Sequence, residues 1–349
     1  MSEKIFFRTL SGRPLSFALF CLFGLFLYAI DASKLPDFEA YYIMYYDGEN
    51  LGLKHMGYYN IGLIFQGLGI NYQEFRTIVL FIGIAFSVIV LNLRRVGHSD
   101  HERRGRLSSL KVGIFLALIF IFLFEYYVIR LRAGISIFFF LLSFCCWQLF
   151  KRDKFSKFFR NMTMIATLAI SAIIHVETFI TIALFVGPAV LWSRYTKFQK
   201  LSNYIYFVGC FGAWVVMFWF GIATSLDGRG AELASELNPI RFVFISIVPI
   251  ALWLLSRSLY SGMKNQALQK KYFPYLYELN YIASAAALFF YYYFSARSGD
   301  SGEAIVRVMT LSSFGAILAI ALGGITYRNG VAMYIIVINS LFFLNTIYG

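Results

Sequence analysis

Charge is what this chain of 349 residues has least of. Charged residues make up 14% of it, against about 25% in a water-soluble domain. Apolar residues reach 59%, aromatic residues 19% and the mean hydropathy +0.68, which excludes a soluble globular domain and a disordered chain alike. With 6 prolines and 27 glycines it is neither collagen-like nor of low complexity. Its four cysteines (Cys21, Cys145, Cys146, Cys210) all fall in apolar runs and read as buried thiols, not as a disulfide framework. The GxxxxGKS/T, HExxH and CxxC signatures are missing, so nucleotide-driven transport and zinc hydrolysis have no support. A formal charge of +13 can suggest nucleic acid, but the basic residues come in short clusters between apolar runs, which is the pattern of membrane topology.

What is present is a series of apolar runs. A hydrocarbon core of about 30 Å needs about 20 apolar residues in a helix. Eleven candidate spans meet or approach that length: roughly 14–30, 76–93, 112–129, 133–150, 161–175, 178–193, 201–222, 242–256, 276–294, 308–326 and 331–348. The expected fold is all-α, a polytopic integral membrane protein forming a single transmembrane domain over residues 1–349. The first span lacks an Ala-x-Ala-like site and is followed by others, so no cleaved signal is expected. With the N-terminus inside, 22 of the 31 Lys and Arg fall on the cytoplasmic side and 13 of the 18 acidic residues on the other. The inverted topology violates the positive-inside tendency at nearly every loop, so the C-terminus is expected outside.

Two stretches depart from simple spans. Residues 57–70 are apolar but short and hold four glycines, which predicts a re-entrant or interfacial segment on the outer side. The 32 residues from Asn161 to Trp192 would make a helix of about 48 Å, too long for one span. Two helices turning near His175 and Glu177 are expected instead, with both polar groups at the outer surface. No internal repeat is visible, so an inverted-repeat transporter has no positive support.

The cytoplasmic loops are short and basic; His98 and His101 sit among five arginines and read as topogenic or lipid-facing. On the outer side, ionisable residues recur at span ends, where each one needs a partner or a ligand. Arg130 and Arg132 join two spans. They point about 200° apart if both are helical, and the following Ala133-Gly134 permits a turn that lets one ligand engage both. Guanidinium forks suit phosphate; the alternative is snorkelling, or pairing with Glu125. His175 is either a satisfied structural group or the side chain suited to proton transfer near neutral pH. The run DFEAYYIMYYDGEN sets Asp37, Glu39, Asp47 and Glu49 among tyrosines that include Tyr41 and Tyr45. Its carboxylates can bind a metal, hold sugar hydroxyls or act as a base, and its rings can stack on sugars. An interfacial aromatic belt explains it as well. Tyr291, Tyr292 and Tyr293 have the same belt reading. Arg297 and Arg307 flank a Gly-rich outer loop and suit a lipid-phosphate clamp, or salt bridges to Asp300 and Glu303.

At these residues the sequence resembles the EpsG family of Wzy-type polysaccharide polymerases, bacterial inner-membrane proteins that extend O-antigen or exopolysaccharide repeat units. The resemblance is carried by Asp37-Phe38-Glu39-Ala40-Tyr41 after the first span, by Gly57-Tyr58 ahead of an apolar stretch, and by Tyr72, Gln73 and Phe75 at the start of the second span. Arg132 before a small-residue helix start, His175 between two short helices and Arg307 opening a span complete it. Together these features cover most of residues 30–315. Where the family often carries an acidic residue before the glycine, this chain has Lys54-His55-Met56.

The resemblance implies an undecaprenyl-pyrophosphate-linked oligosaccharide as substrate, presented at the periplasmic face, and transfer of the growing glycan from its lipid carrier onto the incoming lipid-linked unit. His175 is the expected base, with Asp37 and Glu177 behind it. Arg132 and Arg307, helped by Arg130 and Arg297, are expected to receive the pyrophosphate. Glu39, Tyr41 and Tyr45 are expected to meet sugar. Because pyrophosphate already leaves well, arginines can take the place of a metal, and no metal or cofactor is expected. Membrane lipids and a chain-length regulator are the further partners implied, and nucleic acid is not. An O-antigen ligase using the same donor and a lipid-oligosaccharide flippase are the alternatives.

Overall fold

Backbone groups in long apolar runs have no polar side chains to turn to, and a helix satisfies them within the segment. In the computed structural model, which describes residues 38–47, 56–92, 130–149, 154–195, 200–220, 239–260, 272–294, 302–323 and 330–348, every regular element is helical. The expected spans 14–30 and 112–129, together with Asp37 and Arg297, lie outside the described residues. Two helical stretches, Val176–Ser193 and Leu201–Trp219, are long and apolar enough to cross a membrane. The described residues divide into two compact units. One gathers those up to Asn92 and from Arg130 to Phe179; the other begins at Ile180.

Unit 1 contains α1 (Phe38–Tyr46), α2 (Met56–Gly67), α3 (Tyr72–Asn92), α4 (Leu131–Leu149), α5 (Lys154–Ile174) and the first turn of α6 (Val176–Tyr195). The stretch expected to be re-entrant or interfacial is α2, a helix of 12 residues, about 18 Å long and too short to cross. It stops at Gly69, whose φ of 74° is the left-handed conformation glycine adopts without strain. The Ile70 N–H reaches back to the Phe65 carbonyl (3.0 Å) and the Gly69 N–H to that of Gln66 (2.9 Å), a Schellman ending. Asn71 then opens α3 through a capping box. Its side chain accepts the Glu74 N–H (3.0 Å), and Glu74 accepts the Asn71 N–H (2.9 Å). That box starts the helix at Tyr72, ahead of the apolar run expected at 76.

α1, α2 and α3 meet in an aromatic core of Tyr45, Tyr58, Tyr72 and Phe75, which Leu131, Ile135 and Ile174 join from α4 and α5. α4 and α5 form an antiparallel hairpin, so the start of one lies beside the end of the other. Where a turn between two helices is expected, the structure has a helix break, one residue long, at His175. Its N–H closes α5 on the Ser171 carbonyl (3.2 Å), and its carbonyl receives the Phe179 N–H (3.0 Å) to open α6.

Unit 2 holds the remainder of α6, α7 (Lys200–Trp219), α8 (Pro239–Phe242), a π-helical turn (Val243–Ile247), α9 (Val248–Tyr260), α10 (Tyr272–Phe294), α11 (Gly302–Gly323) and α12 (Gly330–Tyr348). α10 packs on α7, α9, α11 and the π turn, and its small residues Ala283, Ser284, Ala285 and Ala287 are fully buried. Asn280 ties this unit together. It accepts the Trp214 Nε1–H (3.0 Å) and donates to the carbonyls of Leu184 (2.9 Å) and Phe185 (3.0 Å). Pro249 has no N–H to offer the Ile245 carbonyl one turn back, and the Tyr281 hydroxyl donates to that carbonyl (3.3 Å). Buried Glu278 accepts the Ala332 N–H (3.2 Å) in the first turn of α12, where the helix dipole favours a carboxylate.

Candidate functional site

The hairpin of α4 and α5 brings Arg132 and His175 to the same end of unit 1, although 42 residues separate them in the chain. Arg132 lies in the first turn of α4 with its Nε buried, and its charge acts on both His175 and Glu177. Arg130 sits in a bend just outside the helix, its carbonyl accepting the first helical bond from the Gly134 N–H (3.0 Å). The turn between the two arginines therefore falls at Arg130. Ala133 and Gly134, expected to supply it, are buried inside α4.

Two groups approach the Nδ1 of His175. The Glu177 carboxylate Oε2 lies 3.0 Å away and the Thr178 N–H 3.3 Å away. Nδ1 can either donate to Glu177 or accept the Thr178 N–H, not both. The carboxylate contact is the shorter and, with the proton on Nδ1, the charge-assisted one, and in that tautomer Nε2 keeps its lone pair. Glu177 is in the first turn of α6, where the helix dipole favours a negative charge. Burial holds the His175 pKa below its ordinary value, and Arg132 lowers it further against the raising effect of the Glu177 hydrogen bond. A neutral imidazole oriented by a carboxylate is the arrangement of a general base. Both side chains remain reachable, at 18% and 14% exposure.

Gly57 and Tyr58 of α2 close one side of this end. A Cβ at Gly57 would stand 2.6 Å from the Ile173 carbonyl oxygen, so only glycine lets α2 rest on the last turn of α5. Tyr58 is wholly enclosed beside Tyr41 and Tyr72, and Arg76, buried one turn after Tyr72, acts electrostatically on the Tyr72 hydroxyl. The motif residues Tyr41, Gly57, Tyr58, Tyr72, Phe75, Arg132 and His175 are thus all members of one unit.

The sugar-facing expectation divides. Glu39 is exposed and Tyr41 half-buried, but Tyr45 is fully buried, with its hydroxyl donating to the Ile70 carbonyl (2.8 Å). Its ring is packed against Phe75 and has no face to offer. The rings that α1 does expose are Tyr42 and Tyr46, with centroids 4.9 Å apart. Arg307 lies on α11 in unit 2.

Sequence reasoning missed Arg76, the closeness of Gly57 to α5, and the pair Ser136 and Ser171. The signal was spacing: Arg76 is four residues after Tyr72, Ser136 four after Arg132, and Ser171 four before His175, each on one helical face. Compared with known protein families, with curated protein sequences and with solved structures, the chain matches none.

Proposed function

We propose that the protein is a multi-pass enzyme of the bacterial inner membrane that transfers a growing glycan from undecaprenyl pyrophosphate onto an incoming lipid-linked repeat unit at the periplasmic face. The observation that carries this reading is the meeting, at one end of the α4–α5 hairpin, of a half-buried arginine with a histidine held by a carboxylate. The membrane setting is supported by inverted surfaces. α5 exposes Phe158, Phe159, Met162, Ile165 and Ile173 while burying Thr167 and Ser171; α7 exposes Leu201, Tyr204, Ile205, Val208 and Trp219 while burying Asn203. Apolar side chains outside and small polar ones inside suit lipid on the outer face.

In the reaction, His175 Nε2 takes the proton of the acceptor sugar hydroxyl. The new oxygen–carbon bond forms at the donor's anomeric carbon as its bond to the pyrophosphate oxygen breaks. The departing diphosphate gathers charge at Arg132, helped by Arg130. Preorganised cations of this kind are worth most where charge develops and water is scarce. Glu39, Tyr42 and Tyr46, exposed on α1, are the candidates to meet sugar hydroxyls and ring faces.

The test is to mix purified protein in detergent with undecaprenyl-pyrophosphate-linked repeat units and separate the glycans by size. A ladder of lengthened chains is expected, unchanged by EDTA. Unlengthened chains would overturn the reading. Labelled lipid crossing vesicle bilayers without lengthening would favour a flippase, and transfer to lipid A would favour a ligase.

A further inference from the structure

Ser136 and Ser171 cross-link α4 and α5 in both directions. The Ser136 hydroxyl donates to the Ser171 carbonyl (2.9 Å), the Ser171 hydroxyl donates to the Ser136 carbonyl (2.8 Å), and their oxygens lie 3.0 Å apart. Both residues are fully buried. The same Ser136 oxygen lies 3.5 Å from the His175 carbonyl, and the Ser171 carbonyl also holds the His175 N–H (3.2 Å). One helical turn beyond Ser136 on α4 is Arg132, and one turn beyond Ser171 on α5 is His175. The pair therefore sits directly behind the cation and the base, in the two backbones that carry them.

We infer that Ser136 and Ser171 are positioning residues: their reciprocal hydrogen bonds fix the register of α4 against α5, and so the distance from the Arg132 guanidinium to the His175 imidazole. This rests on the proposed glycan transfer. Hydroxyls between apolar helices could serve cohesion alone, but the geometry favours registration. A single bond lets two helices slide or rotate about it, whereas two bonds of opposite direction one turn behind the site oppose both motions. The partners are main-chain carbonyls, so the constraint acts on the backbone itself. Hairpin cohesion does not rest on them alone, because α4 and α5 contact each other extensively and Leu131, Ile135 and Ile174 join one apolar core. A group that must receive a leaving diphosphate while another takes a proton tolerates little error, and a misplacement of about 1 Å can lower a rate about 100-fold.

The decisive experiment is a double-mutant cycle on chain lengthening by purified protein in detergent, with undecaprenyl-pyrophosphate-linked repeat units as the probe. Ser136→Ala/Ser171→Ala removes both hydroxyls and leaves no buried group unsatisfied, so the protein should fold; its melting temperature and elution volume check that. The rate per folded molecule is expected to fall about 10- to 100-fold, and each single variant, which keeps one bond, less. In a His175→Ala background the same double substitution is expected to change the residual rate by less than about threefold, because the distance it sets no longer matters. A purely cohesive role would lower the melting temperature and leave the rate per folded molecule untouched. Ser171→Thr, which keeps a hydroxyl, is expected to restore most of the rate. If the double variant will not fold, the single Ser136→Ala and Ser171→Ala variants carry the same cycle. A full wild-type rate in the serine variants, or an equal loss with and without His175, overturns the inference while leaving glycan transfer standing. An inactive wild-type protein overturns both.

Discussion

Both units bury polar side chains among helices, but they use them differently. In unit 2 the buried groups are neutral or capping: Asn280 bridges three helices, Ser313 accepts from Asn339 (2.6 Å), and Glu278 sits on a helix N-terminus. They lie among alanines that let the backbones approach, so each works as a tie between helices. Unit 1 has such a tie in Ser136 and Ser171, but the ionisable groups of the proposed site gather where helices begin and end: Arg132 in the first turn of α4, His175 between α5 and α6, Glu177 in the first turn of α6. At a helix start the backbone offers unsatisfied donors and a positive dipole that an anion can meet. Ties placed along a helix hold it together, and charges placed at helix ends are available for chemistry.

That contrast can be broken by substitution, and the largest effect is expected at Arg132. Arg132→Ala should lower polymer formation about 100- to 1000-fold with protein still in the membrane. Arg132→Lys keeps the charge but loses the fork and should recover only part of the activity, measured as glycan length on gels. Glu177→Gln comes next. It leaves His175 in place but weakens the bond that sets its tautomer, and about a 10- to 100-fold drop in rate is expected. Gly57→Ala forces α2 away from the Ile173 carbonyl and should cost about 1–3 kcal/mol, read from thermal melting, together with a fall in rate because α2 borders the site.

Asn280→Ala in unit 2 sharpens the comparison from the other side. Losing its interhelical bonds should cost about 1–2 kcal/mol while the rate per folded molecule stays within about twofold. A large loss of rate there would erase the distinction between ties and site.

The smallest expected effect is in pH dependence. Burial sets the folded pKa of His175 below its unfolded value of about 6.5, so the unfolded chain binds more protons on acidification. His175 therefore contributes a loss of stability that begins as pH falls through the unfolded value and is complete below the folded one. The acid limb of the rate should lie below that unfolded value. His175→Gln should flatten the stability trend between neutral and acid pH.

Much of this was legible in the sequence for physical reasons. Apolar runs dictate helices, and a polar residue inside an over-long run marks a break, as at His175. The start of α3 was less legible because its first turn is polar; the Asn71 and Glu74 capping box, not hydropathy, sets it. The fate of Tyr45 depended on which face of α1 meets α3, and a helix with nearly equal apolar character all round does not announce its inner face. Ser136 and Ser171 are isolated serines in apolar runs, and only the pairing of α4 with α5 sets them opposite one another. Likewise the need for glycine at 57 is legible only once the α5 backbone is seen against it.

The most direct measurement is a structure of the protein in a lipid nanodisc with undecaprenyl-pyrophosphate-linked repeat unit bound. The account expects the diphosphate against the Arg132 guanidinium, with the anomeric carbon within reach of a hydroxyl held at His175 Nε2. A diphosphate bound elsewhere, with Arg132 and His175 untouched by substrate, would contradict it.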